Sequence, residues 1–144
     1  DEQISPIFAD AIQIEHIFIN LLNNARDAIE LKESLLLKKG RSGFDKVISV
    51  KSYQKNTIIY FEVSDNGSGM TEEIQEQIFE PFFSTKDQKG TGLGMSITFN
   101  LIKNMNGEID IKSELAKGST FIIRFPIAEE QISENNIEPG STEN

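Results

Sequence analysis

Apolar positions across residues 11–31 recur with the helical period: Ile14, Ile17, Phe18, Leu21, Leu22, Ala25, Ala28 and Ile29 fall on one broad arc. Asn20, Asn24 and Asp27 share a narrow polar stripe beside that arc. The pattern predicts a helix that packs by one face and presents two carboxamides and a carboxylate from another. Asp10 suits the N-cap, and residues 4–9 before it read as a short strand. Residues 32–46 extend the helix and then pass into a Gly/Ser/Lys loop. Residues 47–53 and 57–64 alternate apolar with polar as two strands, turned at Gln54-Lys55-Asn56. Thr71-Glu72-Glu73 ahead of Ile74 and Ile78 signals the capped start of a short helix. Residues 80–92 hold Pro81, two glycines and two lysines without periodicity, and so predict a loop. Leu93, Ile97, Leu101 and Met105 recur every four residues, predicting a helix that stops at Asn106-Gly107. Residues 108–113 and 119–126 form a second hairpin pair. The resulting order, β-α-β-β-α-loop-α-β-β, suggests a mixed sheet with helices on one face, a two-layer α/β (α+β) sandwich.

Composition narrows the function classes. One domain, residues 1–128, followed by a polar acidic tail at 129–144 that reads as disordered, accounts for all 144 residues. A net charge of −9 without a basic cluster argues against nucleic acid as a partner. The absence of cysteine excludes disulfides and thiolate chemistry. The lack of cysteine also fits a reducing compartment, so a cytoplasmic location is expected, and no apolar run approaches the roughly eighteen residues of a membrane span. The chain opens on Asp1, which suggests a piece of something longer.

Three motifs carry the chemistry. Asn24, a hard oxygen donor on a rigid helix, suits Mg²⁺, which takes few protein ligands and keeps phosphate and water oxygens. Asn20, one turn earlier, would hold a coordinated water or a phosphate oxygen; the plain alternative is that both asparagines sit on a solvated face. Asp65 ends an alternating strand and precedes Asn66-Gly67-Ser68-Gly69-Met70. A carboxylate there would accept a hydrogen bond from an exocyclic amine and select adenine, with Gly67 and Gly69 letting the base lie against the backbone. A simple strand-ending turn explains the same residues. Gly90-Thr91-Gly92-Leu93-Gly94-Met95 precedes a helix N-terminus, where free N–H groups favour phosphate. Lys86 and Lys89 lie in the flanking loop and are candidates for contact with the β- or γ-phosphate. Phe79, Pro81, Phe82 and Phe83 cluster at the root of that loop, and core packing explains at least some of them. Thr120, in Gly118-Ser119-Thr120, is a weaker candidate for contact with the base. The lone histidine, His16, belongs to the first helix and is read as structural.

Taken together, these residues resemble the catalytic ATP-binding domain of sensor histidine kinases, in the GHKL (Bergerat-fold) superfamily. Asn20 through Ala28 looks like the N box and Asp65 through Met70 like the G1 box. Ile78-Phe79-Glu80-Pro81-Phe82-Phe83 with Ser84-Thr85-Lys86 is similar to the F box, Gly90 through Gly94 to the G2 box, and Gly118-Ser119-Thr120-Phe121 to the last glycine motif. The resemblance implies a mixed, roughly five-stranded sheet with three helices on one face and an ATP lid. It implies Asn24 as Mg²⁺ ligand, Asp65 on the adenine amine and Gly92-Leu93-Gly94 at the phosphates. The nucleotide-binding set it implies is Asn24, Asp27, Asp65, Gly67, Gly69, Met70, Phe79, Lys86, Gly90, Thr91, Gly92, Leu93, Gly94, Met95 and Thr120, with Asn20 and Lys86 catalytic. The implied partners are ATP, a phosphoacceptor histidine on a dimerisation domain and a response-regulator receiver domain, with the chain itself a monomer. Three departures stand out: the stretch 32–46 is long for the family, the lid is short, and no phosphoacceptor motif surrounds His16. Related ATPases place a glutamate where this chain has Asn20, and a carboxamide cannot take a proton from water, so hydrolysis is disfavoured. An anti-sigma-type serine kinase and a binding module without activity are the other readings.

Overall fold

The computed structural model describes residues 4–84 and 92–128. Helix α1 runs Ala11–Lys38, and Asp10 caps it as its spacing requires: Oδ1 accepts from Ile12 N at 2.8 Å and Gln13 N at 3.1 Å. Ile17, Leu21, Ala25 and Ile29 are the buried positions of α1, all on the predicted arc. Strands β1 (Ile48–Lys55) and β2 (Ile58–Asp65) form the first hairpin, turned at Asn56, whose φ of 52° an asparagine tolerates. Short helix α2 (Glu72–Gln77), N-capped by Thr71, and α3 (Gly94–Asn104) precede the second hairpin, β3 (Glu108–Glu114) and β4 (Gly118–Pro126).

The strands form one antiparallel sheet in the order β1-β2-β4-β3. Ile59 and Val63 of β2, Phe121, Ile123 and Phe125 of β4 and Ile109 of β3 are buried, together with Ile17 and Leu21 of α1 and Ile102 of α3. The opposite sheet face carries the stacked Tyr53–Tyr60 pair and Arg124, ion-paired to Glu108 at 3.0 Å and Asp110 at 2.6 Å. One covered and one polar face make the two-layer α/β sandwich that the strand alternation predicts.

One local expectation differs from what is found. Residues 4–9 form no strand, so among the described residues the sheet has four strands rather than five and is antiparallel rather than mixed. The segment is tied down by Ala128 N to Pro6 O (3.0 Å) and Ser5 N to the Gln54 side chain (2.8 Å). Pro6 has no N–H to give a ladder, which explains why pairing stops there. In α3 the buried face is Met95, Thr98 and Ile102, while Ile97 is 47% exposed. Leu101 packs against the core and Met105 belongs to it, so the four-residue row lies partly on the buried side.

Candidate functional site

The polar stripe of α1 splits into three environments. The Asn20 amide donates to Thr98 Oγ1 at 3.1 Å and to the Gly94 carbonyl at 3.4 Å, tying α1 to the first turn of α3. Asn24 is half-buried, and among the described residues nothing hydrogen-bonds its carboxamide. Asp27 receives Arg26 Nη2 at 2.9 Å and Nε at 3.1 Å.

At the end of β2, Asp65 Oδ1 accepts from Gly67 N at 2.8 Å, and the backbone N–H of Ser119 also bonds its carboxylate. Burial pushes this carboxyl above its ordinary value of 3.8, against the two backbone N–H groups and Lys32, which pull it down. The loop after Asp65 is stitched on three sides. Ser68 N bonds the Ala28 carbonyl of α1 at 2.9 Å, Lys32 Nζ reaches Asn66 O at 2.6 Å, and Ala116 N of the β3–β4 turn bonds Ser68 O at 2.6 Å. The Asn66 side chain takes Val47 N (2.9 Å) and gives to Asp45 O (2.7 Å). The long 32–46 segment, for which the sequence offers no role, thus braces the loop that presents Asp65.

The glycines of that loop are required by the protein's own packing. A Cβ on Gly67 would lie 2.6 Å from the Ala28 carbonyl carbon, and one on Gly69, at φ +64°, would overlap the Glu114 carbonyl oxygen. Gly92, at φ +68°, lies against the Phe82 backbone, 2.6 Å from its carbonyl carbon to a built Cβ. Gly94 differs: its nearest neighbour is the Asn20 side chain at 4.0 Å, an ordinary contact, so nothing within the described protein requires glycine there.

The remaining candidates divide between core and surface. Met70, through its backbone N–H, donates to Ser113 Oγ at 2.8 Å, and both Met70 and Phe79 pack on the core, where Phe79 meets Phe99 at 5.4 Å. Met95 is buried, and the Leu93 carbonyl accepts from Ile97 N and Ser96 Oγ, both at 2.9 Å. Thr120 faces away from Asp65: it pairs with Ser64 in the ladder, and the two hydroxyls lie 2.9 Å apart on the polar face of the sheet. Its neighbour Ser119 is the residue that pairs with Asp65, and it is buried. The alternation already held that signal, since Phe121, Ile123 and Phe125 point to the helices and Ser119 stands two before Phe121. Lys86, Gly90 and Thr91 lie outside the described residues. His16 is exposed on α1.

An open depression of about 380 Å³ touches Asp65, Ser113 and Ser119, but Lys112 and Thr120 also line it. Those two pair with each other on the polar face, so the hollow wraps around the end of the sheet instead of lying between the layers. Among the described residues no group of three His, Cys, Asp or Glu side chains is arranged to hold a metal, and no helix is long and apolar enough to cross a membrane.

Against this geometry, comparison with known proteins is direct. The family model described as histidine kinase-, DNA gyrase B-, and HSP90-like ATPase matches residues 9–129, so the chain belongs to that family. It is 39% identical over 124 residues to the sensor kinase CckA of Brucella abortus, covering 84% of this chain and 13% of that protein. It is 30% identical over 137 residues to sporulation kinase E of Bacillus subtilis, covering 95% of this chain and 17% of the relative. Among solved structures, the catalytic domain of histidine kinase ThkA superposes with a TM-score of 0.67 at 31% identity, over 87% of this chain and 73% of that one. Full-length ShkA, solved in complex with AMPPNP, superposes with a TM-score of 0.70 at 25% identity, over 87% of this chain and 24% of that one.

Proposed function

We propose that the chain is the ATP-binding catalytic domain of a two-component sensor histidine kinase, acting in the cytoplasm. It would bind Mg-ATP and direct the γ-phosphoryl group to a histidine on a dimerisation domain, from which a response-regulator receiver domain would take it. One juxtaposition carries the reading. Asp65 is a half-buried carboxylate fixed by two backbone N–H groups, and the loop that follows it is seated on α1 at Ala28, one turn beyond the Asn24 carboxamide, uncommitted among the described residues. An amine-selective acceptor and a hard oxygen donor thus share one wall. Ser119, in register with Asp65 and on its face of the sheet, replaces Thr120 as the hydroxyl beside the base. Gly94 would lie closest to the phosphates at the N-terminus of α3, with Lys86 as their cationic partner.

Asn24 fits Mg²⁺ because the ion accepts a single carboxamide oxygen and completes its shell from phosphate and water. Bound there, the ion would neutralise phosphate charge. Asn20 has already given its amide protons to Thr98 and Gly94 and cannot remove a proton from water, which favours transfer over the hydrolytic reading.

Calorimetric titration with a non-hydrolysable ATP analogue, with and without Mg²⁺, tests the assignment. Asn24→Ala is expected to lose the Mg²⁺-dependent gain in affinity, at least about tenfold, while keeping Mg²⁺-independent binding. Retention of the full Mg²⁺ effect would remove Asn24 from the ion's shell.

The raised carboxyl of Asp65 predicts opposite pH trends for binding and stability. Nucleotide affinity should fall on acidification at a higher pH than an ordinary aspartate would cause, because the acceptor is lost once the group is protonated. For the free protein the folded pKa exceeds the unfolded one. The group's stabilising contribution is therefore complete below the unfolded value and is lost as pH rises through the folded value. Titrations and urea melts across about pH 4 to 7, compared between wild type and Asp65→Asn, read both trends. Parallel pH curves for the two proteins would refute the assignment.

A further inference from the structure

Three polar groups converge on the hydroxyl of Ser113 at the loop end of the sheet. Ser113 of β3 stands opposite Ser119 of β4 in the ladder. Its Oγ lies 2.8 Å from Met70 N, 3.0 Å from the Gly118 carbonyl oxygen and 2.9 Å from Ser119 Oγ. A hydroxyl has one proton and two lone pairs. The Gly118 carbonyl can only accept, so it takes the Ser113 proton. The Met70 N–H can only donate, so it fills one lone pair. The second lone pair faces Ser119, whose hydroxyl is therefore the donor in that contact. All three valences of Ser113 are then spent, and Gln75 holds the arrangement from α2 by donating to the carbonyls of Met70 and Ser113, each at 3.2 Å.

With its proton committed to Ser113, Ser119 offers only lone pairs to its other surroundings. Asp65, its ladder partner, offers only lone pairs when ionised. We infer that Ser113 is a positioning residue for base recognition: by engaging the Ser119 proton it leaves Ser119 and Asp65 as adjacent acceptors, a pair that favours an amine-bearing base edge over a keto-bearing one. The inference rests on the reading of Asp65 as the adenine contact and deepens it. Hydrogen-bonding sites built this way discriminate because the wrong edge sets acceptor against acceptor and leaves both unpaired.

The test is the ratio of ADP to inosine diphosphate affinity, measured by titration on the full 144-residue chain, since hypoxanthine carries a keto group where adenine carries its amine. Wild type should prefer ADP. Ser113→Ala frees the Ser119 hydroxyl to turn and donate to the keto oxygen, so the ratio should fall by about tenfold, and Ser113→Thr, which keeps the hydroxyl, should restore it. If Ser113→Ala weakens both ligands in equal proportion, the residue merely holds the loop and the inference is overturned. Should circular dichroism show Ser113→Ala unfolded, Ser119→Ala reads the same quantity: a narrowed ratio supports the inference and an unchanged one overturns it. A wild-type chain that binds neither nucleotide, or both equally, would instead sink the adenine-site reading itself, and the inference with it.

Discussion

Asp65→Ala is expected to weaken binding of a non-hydrolysable ATP analogue by at least about 100-fold, near 2.7 kcal/mol, in a protein that remains folded. A hydrogen bond to an ionised acceptor contributes about 1.5–3 kcal/mol, and the abandoned amine would add the cost of a donor buried without a partner. The carboxylate is also fixed before any ligand arrives, by Gly67 N at 2.8 Å and by the Ser119 backbone, so little ordering opposes its contribution. Stability should change much less. The substitution frees two backbone donors but also removes a carboxylate whose charged form burial disfavours, and these effects oppose each other. Asp65→Asn separates acceptor from volume, because it fills the same space and can still accept from Gly67, yet its own amide would meet the amine. It should bind as poorly as the alanine variant. Affinity within a few fold of wild type in either variant would dismiss Asp65 as the base contact.

Gly69→Ala should produce a large loss of stability, on the order of 3 kcal/mol or more. Two costs act at once. The φ of +64° disfavours any L side chain, and the added Cβ would overlap the Glu114 carbonyl oxygen, part of the turn that anchors the loop after Asp65. Backbone on both sides leaves no flexible group to yield. Gly94→Ala should behave in the opposite way: the nearest atom is 4.0 Å distant and the position begins a helix, so the melting temperature should hold or rise slightly. Nucleotide affinity should nonetheless drop, because the methyl would occupy the approach to the α3 N-terminus. Thermal melts and titrations on the two variants separate packing glycines from phosphate-facing ones. A stable Gly69→Ala, or a Gly94→Ala that binds normally, would reverse the respective assignment.

Much of the fold was legible because periodicity reports which face is buried. The α1 arc with its Asp10 cap, both hairpins, the Thr71 cap and the stop at Asn106-Gly107 all follow from local rules that tertiary contacts did not override. The misplaced strand at residues 4–9 shows the limit of such rules, since a segment pairs only if it can supply a ladder, and Pro6 interrupts it. Polar burial in α3 lies beyond such rules as well. Thr98 is fully buried because Asn20 satisfies its hydroxyl, and no pattern of apolar residues announces a polar residue paired across two helices.

The sequence by itself determined the layer architecture, the family motifs and the residue types able to meet a Mg-nucleotide, because these depend on spacing along one element. Tertiary structure alone decided what each of those residues touches. It made Gly67 and Gly69 into seats against α1 and the β3–β4 turn, spent the Asn20 amide on α3 and, among the described residues, left the Asn24 carboxamide uncommitted. It also put Ser119, not Thr120, in register with Asp65 on the helix side of the sheet. The physical reason is that a backbone's closeness to a neighbour, and the commitment of a hydroxyl's single proton, depend on groups tens of residues away in the chain.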